Sequence, residues 1–327
     1  RYRSELSEEP RSIIGEDSSP FYRMMCYHLG WLDRDGYPQE GMGGKMLRPT
    51  LCLLTCEVVG GNYHLAIPAA CAVELVHNFT LIHDDIEDDS LERRHRPTLW
   101  SIWGKPQAIN AGDGMYAAAH LAMLRTKGVS QEKVTRTNLL LDEACLRLCE
   151  GQYLDIHYEG RLDIGIEDYL EMVRRKTAAL FECSTHIGAI LGTEDESLVE
   201  RFRCFGERIG LAYQIRDDVL GIWGEKRAKD TDIRKRKKTL PVVYALERAR
   251  GAEREKLLEI YRQEVINEGD AKEVIRILSQ LDAEGYAQEM AGNYYQEALS
   301  ELEMANLSPK ACEELMEVTA FLVKREH

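Results

Sequence analysis

The sequence predicts an all-α fold, a single-domain bundle of roughly 10–13 helices. Three observations carry that expectation. Apolar residues recur at helical spacing along almost the whole chain. Alternating β-branched runs bounded by hairpin turns are nearly absent. Proline is scarce, and none of the nine falls deep inside a long periodic segment, where it would break the backbone ladder. In chain order the periodicity predicts helices over 20–31, 47–60, 64–88, 107–126, 131–158, 166–192, 196–223, 239–250, 253–267, 271–305 with a break near 282, and 308–325. Gly60-Gly61-Asn62, Lys127-Gly128 and Glu159-Gly160 supply stops between them. No composition shift marks a boundary, so residues 1–327 are read as one domain, with 1–19 expected to be disordered.

Composition narrows the class. With 44% hydrophobic and 30% charged residues, the chain has the make-up of a soluble globular protein. A net charge of -14 argues against a nucleic-acid binder, since only Arg234 to Lys238 forms a dense basic run, and its plainer reading is a solvated loop. An acidic protein that handles anionic substrates must hold them with local cations or metal ions. The nine cysteines mostly sit among apolar residues. Cys52/Cys56 and Cys145/Cys149 have helical spacing without a His or further Cys at finger-like distance, which favours core thiols over zinc ligands and a reducing cytoplasm as the setting. No run of about twenty apolar residues is evident, so no membrane span is expected, and no signal-peptide pattern is seen. The start at Arg1 rather than Met suggests that a native N-terminal segment precedes this sequence.

Two acidic clusters carry the chemistry. In Glu74-Leu75-Val76-His77-Asn78-Phe79-Thr80-Leu81-Ile82-His83-Asp84-Asp85-Ile86-Glu87-Asp88-Asp89, Asp84 and Asp88 are one helical turn apart with Asp85 beside them. Such carboxylates repel, so the helix end needs a compensating cation. Hard carboxylate oxygens suit Mg²⁺, which binds through one or two carboxylates plus substrate phosphates. Alone, this pattern is more often a solvated helix end. Its flanks change the balance: Arg93-Arg94 follow, with guanidinium forks suited to phosphate. Upstream, Gly43-Gly44-Lys45-Met46-Leu47-Arg48-Pro49 places Lys45 and Arg48 at a helix start, a phosphate cradle distinct from the Walker pattern. The second cluster, Gly210-Leu211-Ala212-Tyr213-Gln214-Ile215-Arg216-Asp217-Asp218-Val219-Leu220-Gly221, again brings an apolar helix to an Asp pair. Two such helix ends facing each other would hold one diphosphate through metal ions, with a greasy well beneath for a hydrocarbon tail.

These motifs together resemble the trans-prenyl diphosphate synthases, the family of farnesyl and geranylgeranyl diphosphate synthases. The likeness runs over about 40–245 and rests on Gly44-Lys45-x-x-Arg48-Pro49, the first aspartate-rich motif with Arg93-Arg94, Gly151-Gln152-x-x-Asp155, Lys176-Thr177, and Gln214-x-x-Asp217-Asp218. The resemblance implies an isoprenoid-synthase-like helical bundle around a central apolar cavity, a homodimer packed through helices near 107–158, and Mg²⁺, three ions with substrate bound. It implies that Asp84 and Asp88 bind Mg²⁺ on the allylic diphosphate with Asp85 in support, and that Asp217 binds a further ion with Asp218 nearby. Arg93, Lys176 and Lys237 would contact the allylic diphosphate. Lys45, Arg48, His77 and Arg94 would hold isopentenyl diphosphate. Thr177 and Gln214 would sit beside the reacting carbons.

One departure is Gly221, where the family usually has a third Asp; Glu225, Asp230 and Asp232 are candidates to compensate. In the loop that follows, Lys237 matches the family lysine by its distance from Thr239-Leu240-Pro241, with Lys226 and Lys229 as alternatives. Lys324-Arg325 is read as a surface tail or as a closing element. Phe79 and Thr80 lie about one helical turn before Asp84, roughly 6–7 Å at 1.5 Å per residue; the aromatic at 79 resembles the floor of enzymes making twenty-carbon chains, and Thr80 leaves more room than a second aromatic would. The expected activity is therefore head-to-tail condensation of isopentenyl diphosphate with an allylic diphosphate to geranylgeranyl diphosphate, with farnesyl diphosphate next. A class I terpene cyclase needs no second diphosphate site, so Lys45, Arg48, His77 and Arg94 argue against it. A non-catalytic subunit of a heteromeric synthase would have eroded aspartates, and only position 221 is eroded. A helical scaffold leaves the five spaced motifs unexplained.

Overall fold

The computed structural model describes residues 2–14, 19–39, 44–224 and 231–324. Gly43, Glu225, Lys226, Lys229, Asp230 and Arg325 lie outside them. The helices in chain order are α1 (Arg3–Ile14), α2 (Pro20–His28), α3 (Leu47–Val58), α4 (Ile67–Glu87), α5 (Leu99–Trp103), α6 (Lys105–Leu124), α7 (Gln131–Glu159), α8 (Ile166–Val173), α9 (Ala179–Gly192), α10 (Glu196–Trp223), α11 (Thr231–Arg234), α12 (Leu240–Arg248), α13 (Gly251–Tyr261), α14 (Glu268–Gln280), α15 (Ala283–Met304) and α16 (Pro309–Lys324). The all-α expectation holds, with 78% of the chain helical. Among the described residues the one sheet is a two-residue pair, β1 (Glu92–Arg93) and β2 (Arg96–Pro97), antiparallel with Arg93 opposite Arg96.

α10 begins and ends where the periodicity puts it, and the expected break near 282 is Asp282, left-handed at φ 52 between α14 and α15. The helix count exceeds the sequence expectation for physical reasons. The run expected at 166–192 is divided by a π segment, Arg174–Ala178, which apolar spacing does not reveal. α5 and α11 are too short to show a period. α1 lies in the stretch expected to be disordered and contains Pro10; it is held because Tyr2, Leu6 and Ile14 are buried and the Tyr63 hydroxyl donates to Glu5 at 3.1 Å.

The chain forms two compact units, each drawn from two segments: Arg1–Asp142 with Cys183–Val199, and Glu143–Glu182 with Glu200–His327. The chain passes from one to the other inside α7, α9 and α10. No linker separates them, which is why composition shows no boundary.

In the first unit α4 is the core helix, packed on α6, α3 and α1. The expectation of no long apolar run is corrected here: Tyr63–Glu87 is long and apolar enough to cross a membrane by length and composition. Its run from Ala69 to Val76 is buried within the unit, as in the core helix of a globular protein. All nine cysteines are free thiols and seven are buried, as core residues. Glycines let helices touch: a Cβ on Gly188 of α9 would lie 2.2 Å from the Cys52 carbonyl oxygen of α3.

In the second unit one apolar cluster joins Tyr158, Tyr169, Val173, Leu211, Ile215, Val219, Leu240 and Val243. Another joins Ile222, Ile233, Leu246, Leu257, Tyr261, Val274 and Ile277. Each fully buried large side chain contributes about 1.5–3 kcal/mol. These clusters fix the ends of α8, α10 and α12, which carry the polar groups described below.

Gly188→Ala drives a methyl group into backbone, which has little room to yield. It is expected to lower unfolding stability by about 1–3 kcal/mol, read as a lower denaturant midpoint at unchanged slope.

Candidate active site

The first acidic cluster closes α4. His77, Phe79, Thr80, Asp84 and Asp85 lie on the helix, and Asp88 caps it, its N–H donating to the Asp84 carbonyl at 2.9 Å. The carbonyl end of a helix is already its negative end, so carboxylates there are doubly unfavourable. Arg93 answers this charge: its Nε donates to Asp85 Oδ1 at 2.8 Å and its Nη2 to Asp84 Oδ2 at 3.0 Å. Asp85 is 2% exposed, and burial pushes its carboxyl up to about 6 against the pull of Arg93. Its Oδ2 is buried without a hydrogen-bond partner, an oxygen that a cation would satisfy. Among the described residues no three His, Cys, Asp or Glu side chains form a ready-made metal cluster. Mg²⁺ requires none, since it takes one or two carboxylates and completes its shell with phosphate oxygens and water. By donor type, Asp84 and Asp88, with Asp85 beside them, fit that ion.

Arg93 and Arg94 are presented by the β1–β2 hairpin. Its two turn residues, Arg94 (φ 52) and His95 (φ 60), are both left-handed, the signature of a type I′ turn. Without glycine this costs on the order of 1–3 kcal/mol per residue, so the hairpin must be held from outside. Arg96 does this, a role the sequence reading missed. Its Nη1 donates to the Tyr27 carbonyl at 3.1 Å and its Nη2 to that of Leu32 at 2.8 Å, with the guanidinium 4.0 Å over the Tyr27 ring. The Tyr27 hydroxyl donates back to the Pro97 carbonyl at 2.9 Å. The available signal was a third arginine within four residues. Gly44 explains itself too: a Cβ there would meet Arg94 Nη2 at 2.7 Å.

α3 starts after Met46, left-handed at φ 49 and without a side-chain cap, so Lys45 stands just before the helix and Arg48 in its first turn. Arg48 Nη1 lies 3.4 Å from His77 Nε2. Burial, then Arg48, Arg94 and Arg93, drive the His77 imidazole well below its ordinary range, so it is uncharged and Nε2 accepts from Arg48 when the proton is on Nδ1. Burial raises the Glu74 carboxyl, which takes a hydrogen bond from Asn78 Nδ2 at 2.9 Å. His28 is lowered to about 3 by burial, then by Arg94, Arg93 and Arg96. The Phe79 ring stands edge-on to Tyr116, centroids 5.2 Å apart, and to His83 at 5.6 Å. The Tyr116 hydroxyl is anchored on Asp142 at 3.1 Å. Thr80 turns its hydroxyl back to the His77 carbonyl at 2.8 Å.

The second unit brings Lys176, Thr177, Gln214, Asp217 and Lys237 into one body. Lys176 and Thr177 lie in the π segment, a distortion that often marks functional positions. Gly151 permits it: a Cβ there would be 2.2 Å from the Lys176 backbone nitrogen. Asp155 pairs with Lys176. The Thr177 hydroxyl donates to Gln214 Oε1 at 2.8 Å, and Gln214 Nε2 donates to Asp218 Oδ1 at 2.8 Å. Asp218 Oδ2 also accepts from the Tyr169 hydroxyl at 2.6 Å and the Leu240 N–H at 2.9 Å. Burial pushes Asp218 up to about 7 in spite of three donors. Its oxygens are engaged inward, so the two adjacent aspartates differ in job and Asp217 is the metal candidate. Lys237 follows α11, its N–H on the Asp232 carbonyl at 3.0 Å, whereas Lys238 is buried with its Nζ on the Glu159 carbonyl at 2.9 Å. A Cβ at Gly221 would lie 1.9 Å from Asp232 Oδ2. Asp232 is thus the compensating candidate whose carboxylate takes the space a side chain at 221 would fill.

Fold and motifs define a class, and comparison with known proteins bears it out. The chain belongs to the polyprenyl synthetase family, which it matches over residues 38–278. It is 41% identical over 227 residues to the (2E,6E)-farnesyl diphosphate synthase of Mycobacterium tuberculosis, a match covering 68% of this chain and 62% of that protein's length. It is 35% identical over 332 aligned residues to the geranylgeranyl diphosphate synthase of the same organism, covering 100% of this chain and 93% of that one. Among solved structures it is similar to the geranylgeranyl pyrophosphate synthetase of Pyrococcus horikoshii, with a TM-score of 0.90 at 34% identity over 99% of this chain and 96% of that chain.

His28 makes the first unit pH-sensitive. Its folded-state value lies below its ordinary 6.5, at about 3. Below 6.5 the unfolded chain gains a proton that the folded chain refuses until about pH 3, so stability falls as pH drops through that window. His28→Phe is expected to flatten the fall in melting temperature over that range relative to wild type.

Proposed function

We propose that this protein is a Mg²⁺-dependent prenyltransferase that condenses isopentenyl diphosphate with an allylic diphosphate, head to tail and in trans. The observation that carries the proposal is Arg93 lying across Asp84 and Asp85, on a hairpin that also presents Arg94, in the same unit as Arg48 and His77. Carboxylates for a hard cation and a paired guanidinium for phosphate are what a diphosphate-ionising enzyme requires. Membership of the polyprenyl synthetase family supports it.

In this proposal Asp84 and Asp88, with Asp85 in support, and Asp217 hold Mg²⁺, three ions with substrate. Bound Mg²⁺ neutralises charge on the leaving diphosphate. Arg93, Lys176 and Lys237 bind that diphosphate and stabilise the charge that develops as the allylic C–O bond breaks. Lys45, Arg48, His77 and Arg94 hold isopentenyl diphosphate so that its double bond attacks the allylic carbon. The Thr177 and Gln214 oxygens face the developing cation, and the departing diphosphate takes the proton. An uncharged His77 suits a hydrogen-bonding role beside arginines that already bear the charge.

Product length rests on Phe79, braced by Tyr116, as the floor of the well. Geranylgeranyl diphosphate is the preferred product and farnesyl diphosphate the next. A homodimer is proposed because α7 leaves Leu139, Leu146 and Tyr153 exposed at seven-residue intervals, on one helical face. A reducing, cytoplasmic setting accords with nine free thiols.

The test is mass spectrometry of products after incubation with Mg²⁺, isopentenyl diphosphate and each allylic starter in turn. Chain elongation that requires isopentenyl diphosphate is expected; a cyclised or unextended product from the allylic substrate alone contradicts the proposal. Asp84→Asn is expected to lower turnover on the order of 10²-fold or more, measured at saturating Mg²⁺. Phe79→Ala is expected to shift the products to longer chains, and an unchanged distribution removes Phe79 as the floor.

A further inference from the structure

We propose that Tyr169 is a positioning residue for the condensation: through Asp218 it fixes which way round the Gln214 amide sits, and through Gln214 it fixes the direction of the Thr177 hydroxyl. The assignment rests on the prenyltransferase reading above, and it concerns a residue that none of the motifs includes.

The argument follows the protons. An amide side chain has one accepting and one donating end, and Asp218, whose Oδ2 already takes two donors, accepts on Oδ1 as the carboxylate that those donors favour against burial. Asp218 Oδ1 therefore selects Gln214 Nε2, 2.8 Å away, which leaves Oε1 to face Thr177. The Thr177 hydroxyl gives its one proton to that oxygen, so only its lone pairs remain to be presented elsewhere. A hydroxyl so constrained turns the negative end of its dipole outward, the orientation that lowers the energy of a carbocation. Turned round, the amide would offer Thr177 a donor, free the hydroxyl proton to point outward, and repel that cation.

Asp218 can hold Gln214 only if it is itself held. Its Oδ2 has two donors, the Tyr169 hydroxyl at 2.6 Å and the Leu240 N–H at 2.9 Å. The second comes from the first residue of α12, whose Thr239 cap supplies no side-chain bond, so Asp218 also serves as that helix's cap. Tyr169 is 1% exposed, and its ring lies in the apolar cluster with Val173, Leu211, Ile215 and Leu240. A phenol hydroxyl in such surroundings is retained where it has a polar partner. Here that partner is the carboxylate which sets the amide. The π segment shifts Thr177 out of ordinary helical register, and the chain Tyr169–Asp218–Gln214–Thr177 locks it there.

The test is a double-substitution cycle in the full-length enzyme, with steady-state kinetics on isopentenyl and allylic diphosphates. Tyr169→Phe keeps the ring and removes the hydroxyl. It is expected to lower kcat about 10- to 100-fold while KM for both diphosphates stays within about twofold. In a Gln214→Met background the same change is expected to cost less than about twofold, because it acts through the amide that is gone. An equal loss in both backgrounds marks a merely structural role and overturns the assignment, as does an unchanged kcat. Asp218→Asn provides a second arm should Tyr169→Phe fail to fold. Its oxygen serves Tyr169 and Leu240 and its NH2 meets Gln214, which turns the amide round. Turnover is expected to fall at least tenfold with Mn²⁺ affinity, titrated by electron paramagnetic resonance, within about twofold; wild-type turnover in this variant overturns the proposal. If the wild-type enzyme itself forms no elongated product, the prenyltransferase reading fails and this assignment with it. An active wild type with additive variants defeats this assignment alone.

Discussion

Like charge gathered at the carbonyl end of α4 is the constraint around which the first unit is organised. Asp84, Asp85 and Asp88 stand where the helix is already negative, and two carboxylates about 4 Å apart at an effective dielectric of about 20 oppose each other by about 4 kcal/mol. The protein meets this with a guanidinium carried on a hairpin whose turn is itself strained. Arg93 reaches both Asp84 and Asp85, and Arg96 fastens the hairpin to the end of α2 and the segment after it. The arginines that balance the carboxylates have consequences beyond them. They depress the half-buried imidazoles of His28 and His77, adding to the effect of burial. Asp85, with one buried oxygen unpartnered, is prepared to accept further positive charge.

The second unit solves a different problem with the same residue type. Asp217 and Asp218 are neighbours in sequence, yet Asp218 is buried and spends its oxygens on Tyr169, Gln214 and Leu240. It thereby joins α8, α10 and α12 through one carboxylate. Gly151 lets α7 approach the π segment closely enough for Asp155 to pair with Lys176. The groups proposed to meet the reacting carbons are fixed by part-buried hydrogen bonds that end on the buried Asp218, whereas those proposed to meet diphosphate are partly exposed and, His77 apart, charged. That division suits a reaction in which the anion must bind and leave while the cation must be met by dipoles that do not reorganise.

Much of this was legible in the sequence, because amphipathic helices and charge clusters leave local traces. α10 lies where its period puts it, and the left-handed Asp282 falls where the long C-terminal run was expected to break. The acidic clusters, paired arginines and Lys176-Thr177 are short-range signals of the same kind. What escaped depends on tertiary context. Pro10 and a polar surface hide α1, which is held by burial of Tyr2, Leu6 and Ile14. The π segment changes hydrogen-bond register without changing the apolar pattern. Arg96 reads as one more basic residue until its carbonyl partners are seen. Asp218, expected only to lie near Asp217, shows its part once its donors are seen. The unit boundaries lie within helices, so no linker composition announces them.

The central proposal is that Asp84 and Asp217 both bind divalent ions that hold the diphosphate. Diffraction at the manganese edge from crystals grown with Mn²⁺ and an allylic thiodiphosphate that resists ionisation tests it most directly. The account predicts anomalous peaks about 2.1 Å from carboxylate oxygens of both Asp84 and Asp217, with one diphosphate contacting ions of both sets. Peaks confined to one aspartate cluster, or a diphosphate held far from Asp217, would contradict it.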